Sequence, residues 1–311
     1  MKILFATILT VFTLLSLKIQ AQEKAFTLAL NWKAEPEFGG FYEAQLKNLY
    51  KKQGLQVKIL EGGSGTPTIQ MLANGKVDFA IVSADELVLA HERNPKNKIK
   101  ALFAVYQTSP YIIMTHAERN FKNLKEVFAA DGVLSLQSGL PYYSFLVQKF
   151  GKPKARVVPY SGGVGSFLNN KQLSQQGFLT IEPVAAEKAG QKTKNFVIAD
   201  EGFNPYLVVL AVTEKFWKTQ PEIVKGLHQA VLEGWQLYLK DPKATNLHMS
   251  QLNRSLDLAT FEKASEIQKP LIESAPLGQM TEERWTTLIK QMRALKLIQK
   301  PMNAKDLYLV L

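Results

Sequence analysis

The chain predicts an α/β protein built as two lobes with a small-molecule cleft between them. Three observations lead there. Apolar runs of strand length alternate with helix-length amphipathic runs over the first two thirds of the chain, the pattern of a largely parallel sheet. That alternation restarts near Tyr106, and changes again near Tyr206 into one apolar strand followed by helices. Near the start, two strand–loop–helix units carry an aromatic-acidic loop and a glycine-rich loop. Both loops sit at the carboxyl end of a strand, where open α/β sheets bind ligands.

The elements read in order as follows. Residues 26–30 form a strand and 41–53 a helix with apolar positions on one face. A strand at 57–60 precedes a helix at 66–74, which Asn74-Gly75 stops. Residues 77–82 are a short, continuous apolar strand; Ser83-Ala84-Asp85 caps the helix 86–90, and 99–106 is the next strand. A second unit follows, with strands at 111–115, 132–136, 156–159, 177–180 and 196–199. Its helices fall at 124–128 and 142–150, and Glu182-Pro183 opens another. The strand at 206–212 returns the chain to the first unit. Helices at 214–217, 221–240, 258–269 and 282–295 then pack on it, with Pro221 suited to a first turn. The division is 22–105 plus 206–311 for one lobe and 106–205 for the other.

The first residues read as a targeting signal. Lys2 gives a positive start, residues 3–17 are almost wholly apolar or small, and Ile19-Gln20-Ala21 suits cleavage before Gln22. The apolar run is short for a membrane span. Without any cysteine, a lipoprotein anchor and disulfides are both excluded, and stability must come from a core. About 290 mature residues, 46% of the whole chain being apolar, are enough for two medium domains. The expected location is the periplasm.

The formal charge is +11, and removal of Lys2 and Lys18 with the leader lowers it by two. Lys and Arg are scattered rather than blocked, which reads as a solvated basic surface, or as attraction for anionic solutes, and not as a nucleic-acid site. His91, His116, His228 and His248 have no ligand spacing, so no metal site is expected. No Gly-x-Ser-x-Gly elbow occurs. An enzyme is not expected, nor any cofactor. Trp217, Trp235, Tyr238 and Trp285 in the late helices read as packing residues.

Candidate binding residues cluster at strand ends. Trp32 and Phe38 could sandwich a flat ring, with Tyr42 or Tyr106 beside it, and Glu35 or Glu37 could accept hydrogen bonds from an amino edge. The alternative is that Phe38 and Tyr42 face the core and the glutamates are solvated. Ser64, Gly65 and Thr66 could bind an anion or carbonyl, or simply cap the following helix. Ser83 stands at another strand end, and capping is the expected role of Asp85. In the second unit Ser138, Tyr142, Gly162 and Gly163 are similarly placed, as is Ser161. Gly162-Gly163-Val164-Gly165-Ser166 lacks the lysine and spacing of a phosphate loop. Glu182 could close on a ligand or cap the helix opened by Pro183.

Four segments carry a family resemblance: 30–45; 62–65 with Leu72-Ala73-Asn74-Gly75-Lys76-Val77-Asp78-Phe79-Ala80; 180–187 with its Glu-Pro helix start; and 213–224. In this order they resemble the periplasmic solute-binding proteins of ABC importers. The branch is that of nitrate, sulfonate and taurine binders and the thiamine-pyrimidine synthase-like proteins. The resemblance implies a type II periplasmic binding protein fold: two α/β lobes, two crossover strands, and a ligand cleft that closes by hinge motion. It implies a soluble receptor, expected as a monomer, that hands its solute to an ABC permease in the inner membrane. Trp32 and Tyr42 match the opening loop of the pyrimidine subgroup, which favours a thiamine pyrimidine precursor or similar planar heterocycle. Phe38 stands where the fungal synthases of this fold have a reactive histidine, and their cysteine motif is missing too. A sulfonate, taurine or nitrate receptor is the alternative ligand reading. A pyrimidine synthase-like enzyme and a periplasmic sensor domain are alternatives of other classes.

Overall fold

The computed structural model describes residues 25–96, 98–137 and 139–311. The leader and Ser138 lie outside the described residues. Ten strands form two sheets. They are β1 (Ala25–Ala29), β2 (Gln56–Leu60), β3 (Phe79–Val82), β4 (Ile99–Tyr106) and β5 (Tyr111–His116), then β6 (Val133–Leu136), β7 (Arg156–Pro159), β8 (Leu173–Phe178), β9 (Thr193–Val197) and β10 (Leu207–Thr213). One sheet has the order β2-β1-β3-β10-β4, the other β7-β6-β8-β5-β9.

The two sheets share one design. In the first, β1, β2 and β3 are parallel and β10 runs antiparallel to β3 and β4. In the second, β6, β7 and β8 are parallel and β5 runs antiparallel to β8 and β9. Each sheet is therefore mixed, with four strands running one way, as expected of a largely parallel sheet, and one strand, β10 or β5, running against them. The reason lies in the crossings. The chain leaves each sheet at the carboxyl end of a strand, so the strand that receives it in the other sheet starts at the cleft and runs away from it. β5 and β10 are those receiving strands, and each is inserted next to the edge.

Burial runs unbroken along central β3 and along β4 at the sheet edge. Every residue of β3 and β4 is buried, as expected for strands covered on both faces. The two crossings are tied together. The Ser109 amide donates to Asn204 Oδ1 at 2.8 Å, and Arg284 lies over the Tyr206 ring at 3.7 Å while donating to the Asn204 carbonyl at 3.0 Å.

The helix expected at 41–53 is two helices, Gly39–Leu46 and Leu49–Lys52, because Asn48 takes the left-handed conformation at φ 56°. A helix at Lys243–Leu252 adds to those expected from the sequence. The long helix Pro221–Lys240 anchors the opening loop by packing on Gly39–Leu46. A Cβ at Gly40 would come within 2.2 Å of the Trp235 ring, so only glycine lets that indole lie against the helix start. Trp235 and Tyr238 are fully buried packing residues; burying such a ring contributes roughly 4 kcal/mol at about 25 cal/mol per Å². Among the described residues no helix is long and apolar enough to cross a membrane.

Candidate ligand-binding cleft

The loops after β1, β2 and β3 face those after β6, β7 and β8 across one cleft. At its centre is an inner cavity of about 90 Å³. Its walls come from both lobes: Trp32, Glu35, Glu37, Gly65 and Thr66 on one side, Tyr160, Gln176, Phe178 and Glu182 on the other.

The loop after β1 is set by its ends. Leu30 and Phe38 are both fully buried, so the segment between them is pinned in the core twice. A 3-10 turn at Pro36–Phe38 turns Phe38 inward and leaves Trp32, Glu35 and Glu37 toward the cleft. The Trp32 indole donates from Nε1 to Glu35 Oε1 at 3.2 Å, and Asn253 Nδ2 donates to the same oxygen at 3.3 Å. On its far side the indole stands 3.4 Å from where a Cβ of Gly162 would lie. Opposite, Phe178 and Tyr111 meet edge to face with centroids 5.0 Å apart and supply an aromatic wall.

Glu182 is held by two donors. Tyr160 OH donates to Oε1 at 2.5 Å and the Phe178 amide to Oε2 at 2.7 Å. Gly177 makes this possible: a Cβ there would sit 2.8 Å from Glu182 Oε2. Gln176 is oriented the same way. Its Oε1 accepts from Tyr142 OH and from the Gln137 amide, each at 2.5 Å, which leaves its Nε2 as a donor without a hydrogen bond among the described residues. The Glu37 carboxylate likewise has none.

Three buried glutamates thus share one cavity whose lining holds no lysine or arginine among the described residues. Burial raises the Glu35 pKa to about 8, with repulsion from Glu182 adding to it and the Trp32, Lys33 and Asn253 interactions opposing. Burial, then repulsion from Glu35 and Glu182, holds Glu37 well above the usual carboxylate range. Glu182 is also raised by burial, against the hydrogen bonds from Tyr160 and Phe178. The three do not form a group that could hold a metal ion. Chemically the cavity offers carboxylate acceptors, an amide donor and flat aromatic faces.

The glycine loop after β2 is closed by Thr66, whose Oγ1 accepts from the Gly63 amide at 2.8 Å. The following helix Thr68–Ala73 has no side-chain cap, so capping by Ser64 or Thr66 does not occur. Gly65 and Thr66 line the inner cavity. Ser64 lines a side chamber with Ser161, Gly162 and Gly163.

Five candidate residues do not line the inner cavity or its side chamber. Phe38 is turned into the core by the Pro36–Phe38 turn, so it forms no sandwich with Trp32. Tyr42, on the helix face toward the core, packs on His248 at 5.9 Å. Tyr106 spends its hydroxyl on Gln268 Oε1 at 3.0 Å, and Tyr142 spends its own on Gln176. Ser83 caps the helix Ala84–Arg93 in a capping box with Glu86; it is Ser83, not Asp85, that caps. Asp85 is buried in that first turn, and burial and Glu86 raise its pKa to about 6. Sequence reasoning missed Tyr160, Gln176, Phe178 and Tyr111. Tyr160 follows a strand as Trp32 does, and that position was its signal.

Two mixed α/β sheets joined by two crossings, with a cleft lined from both, define the periplasmic binding protein fold. Among solved structures, the nitrate-binding protein NrtA from Synechocystis superposes with a TM-score of 0.72 at 12% identity, covering 92% of this chain and 86% of that one. The family is narrower: a model described as NMT1/THI5 like matches residues 35–245, and the chain belongs to that family. The riboflavin-binding protein RibY of Chloroflexus aurantiacus is 22% identical over 298 residues, 91% of this chain and 84% of that protein. The formylaminopyrimidine-binding protein of Halalkalibacterium halodurans is 20% identical over 294 residues, 90% and 88% of the two chains. A 4-amino-5-hydroxymethyl-2-methylpyrimidine phosphate synthase of Saccharomyces cerevisiae is 24% identical over 176 residues, 56% of this chain and 43% of that protein.

Proposed function

We propose that the protein is an exported solute receptor that captures a planar heterocycle bearing hydrogen-bond donors and hands it to an ABC permease. An aminopyrimidine is the class that fits best. The observation that carries this reading is the grouping of Glu35, Glu37 and Glu182 beside Trp32 and Phe178, with no cation in the lining. Carboxylates accept from an amino or protonated ring edge, and hydrogen bonds to charged groups contribute about 1.5–3 kcal/mol each. A ring between aromatic walls adds about 0.5–1.5 kcal/mol per aromatic pair. A sulfonate or nitrate in the same cavity would meet no cation, and an ionised carboxylate 4 Å away would oppose it by about 4 kcal/mol at an effective dielectric of 20.

The names of the two binding relatives agree with a heterocycle. The reading is of a receptor rather than a synthase. The synthase relative matches only about half of the chain, and the cavity is lined by carboxylates, amides and aromatics. Expectations for a monomer and for the lobe boundaries at 106 and 206 belong to this same proposal.

A thermal-shift panel tests it, with 4-amino-2-methylpyrimidine, riboflavin, taurine, an alkanesulfonate and nitrate. A ligand at about 100 times its Kd adds roughly 2.7 kcal/mol of stability. Stabilisation by the pyrimidine and not by the anions is expected. Stabilisation by taurine or nitrate alone would overturn the ligand class.

A further inference from the structure

The inner cavity is not the end of the cleft. A second chamber of about 420 Å³ opens from it on the side of the helix Ala84–Arg93. Inner cavity and chamber share Thr66, Glu86, Gln137 and Leu140, so these four residues form the boundary, or neck, between them. At that neck the Gln137 side chain has no hydrogen bond among the described residues, while Thr66 and Glu86 are held by Gly63 and Ser83. The opposite exit is built differently. There the shared residues are Trp32, Glu35 and Glu182, which are locked by the indole–carboxylate bond and by Tyr160.

The chamber beyond the neck changes character. Pro67, Ile69, Leu89, Ala90 and Leu140 give it an apolar side, Thr68, Gln70, Asn74 and Asn94 a polar one, and Arg93 stands at its rim. Arg93 makes no ion pair among the described residues. Glu86, at the neck, is the acidic residue of the lining, and Ser83 already engages it. A passage with an apolar side along Leu89 and Ala90, which starts at an acidic cavity and ends at an unpaired guanidinium, has two ends of opposite charge preference.

We infer that the solute has two parts: a donor-bearing ring in the inner cavity, and an aliphatic substituent that passes the neck, lies along Leu89 and Ala90, and ends in an anionic group at Arg93. This rests on the ring reading above and specifies it. Apolar contact along the passage and a bidentate guanidinium–carboxylate contact at its end are the two sources of added affinity.

Calorimetric titration with two probes tests it: 4-amino-2-methylpyrimidine, and the same ring carrying a carboxypropyl chain on a ring carbon, made at each open position. One tailed isomer is expected to bind at least tenfold tighter than the bare ring. Arg93→Gln should remove most of that gain, Arg93→Lys should restore part of it, and Ala90→Trp should abolish it by filling the passage. All three variants should bind the bare ring within twofold of wild type, and the two Arg93 variants should melt as wild type does. Ala90→Trp, beside the core, is checked for a folded state by circular dichroism. Bare-ring binding with no gain from any tail would overturn the inference and leave the ring reading standing. A gain that survives both Arg93→Gln and Ala90→Trp would also overturn it. Failure of every probe to bind would overturn the ring reading, and this inference with it.

Discussion

The Tyr160 hydroxyl donates to Glu182 Oε1 at 2.5 Å, and this bond joins two segments of one lobe, the loop after β7 and the helix after β8, at the wall of the cleft. Both partners are buried. The bond stabilises the charged form of a carboxylate that its surroundings would otherwise neutralise.

Tyr160→Phe removes that donor and keeps the ring. Glu182 then loses one of two partners, its pKa rises further, and it spends more time as a neutral acid. Affinity for an aminopyrimidine should fall about tenfold at pH 7, equivalent to about 1.4 kcal/mol. Titration calorimetry reads this directly; unchanged affinity would detach Glu182 from ligand binding.

Glu37→Gln should stabilise the free protein while weakening it as a receptor. The residue is buried, without a hydrogen bond among the described residues, and opposed by Glu35 and Glu182. Replacing the buried carboxyl with a neutral isostere removes the burial cost, and the smaller repulsion from Glu35 and Glu182, that raise its pKa, worth about 1 kcal/mol or more at pH 8. Urea melts should show a higher midpoint, with aminopyrimidine affinity reduced at least tenfold. A lower midpoint would show that Glu37 is satisfied in a way this geometry lacks.

The same cluster fixes the sign of the pH dependence. Glu35 ionises at about 8 in the fold against an ordinary value of 4.5, and Glu37 and Glu182 are raised as well. The native state therefore binds more protons than the unfolded chain across that interval. Stability is greatest below the ordinary value and falls as pH rises through it toward about 8. Each pH unit that separates the folded from the unfolded pKa is worth roughly 1.4 kcal/mol. Asp85, at about 6, adds to the lower part of the window. Melts from pH 5 to pH 8 should show a falling midpoint, with a shallower slope in Glu35→Gln. Equal slopes in the two proteins would place Glu35 at an ordinary pKa.

Trp32→Ala should leave the fold intact and abolish tight binding of a planar ligand. The indole is only partly buried, lines the cavity, and carries the hydrogen bond that orients Glu35. Both the aromatic face and the aim of the carboxylate go together. Far-UV circular dichroism checks the fold and titration the affinity; retained binding would remove Trp32 from the site.

The sequence made the frame of this molecule legible and only half of its cleft. Apolar runs located most strands, since residues such as Phe79–Val82 and Leu207–Thr213 are buried along almost their whole length. Trp32, Glu35, Glu37 and Glu182 are identifiable because they follow strands. Which aromatic faces the cavity was not legible. Phe38 and Phe178 look alike in sequence, and a 3-10 turn sends one into the core while a sheet end sends the other to the cleft. The strand expected at 177–180 begins instead at Leu173, as β8, because Ser174-Gln175-Gln176 reads as polar. Those side chains are buried between hydrogen-bond partners in Arg119, Gly163 and Tyr142. Gln176 was missed for that reason, since propensity cannot see partners that only the tertiary fold supplies.

If Glu35, Glu37 and Glu182 select a donor-bearing ring, neutralising one of them must weaken that ring and an anion must be refused throughout. A pair of calorimetric titrations at pH 7, with 4-amino-2-methylpyrimidine and with taurine, on wild type and on Glu182→Gln, decides this. Saturable binding of the pyrimidine is expected, with a loss of at least tenfold in Glu182→Gln and no heat with taurine in either protein. Tight taurine binding to wild type, or pyrimidine affinity untouched by Glu182→Gln, would contradict selection by the carboxylates.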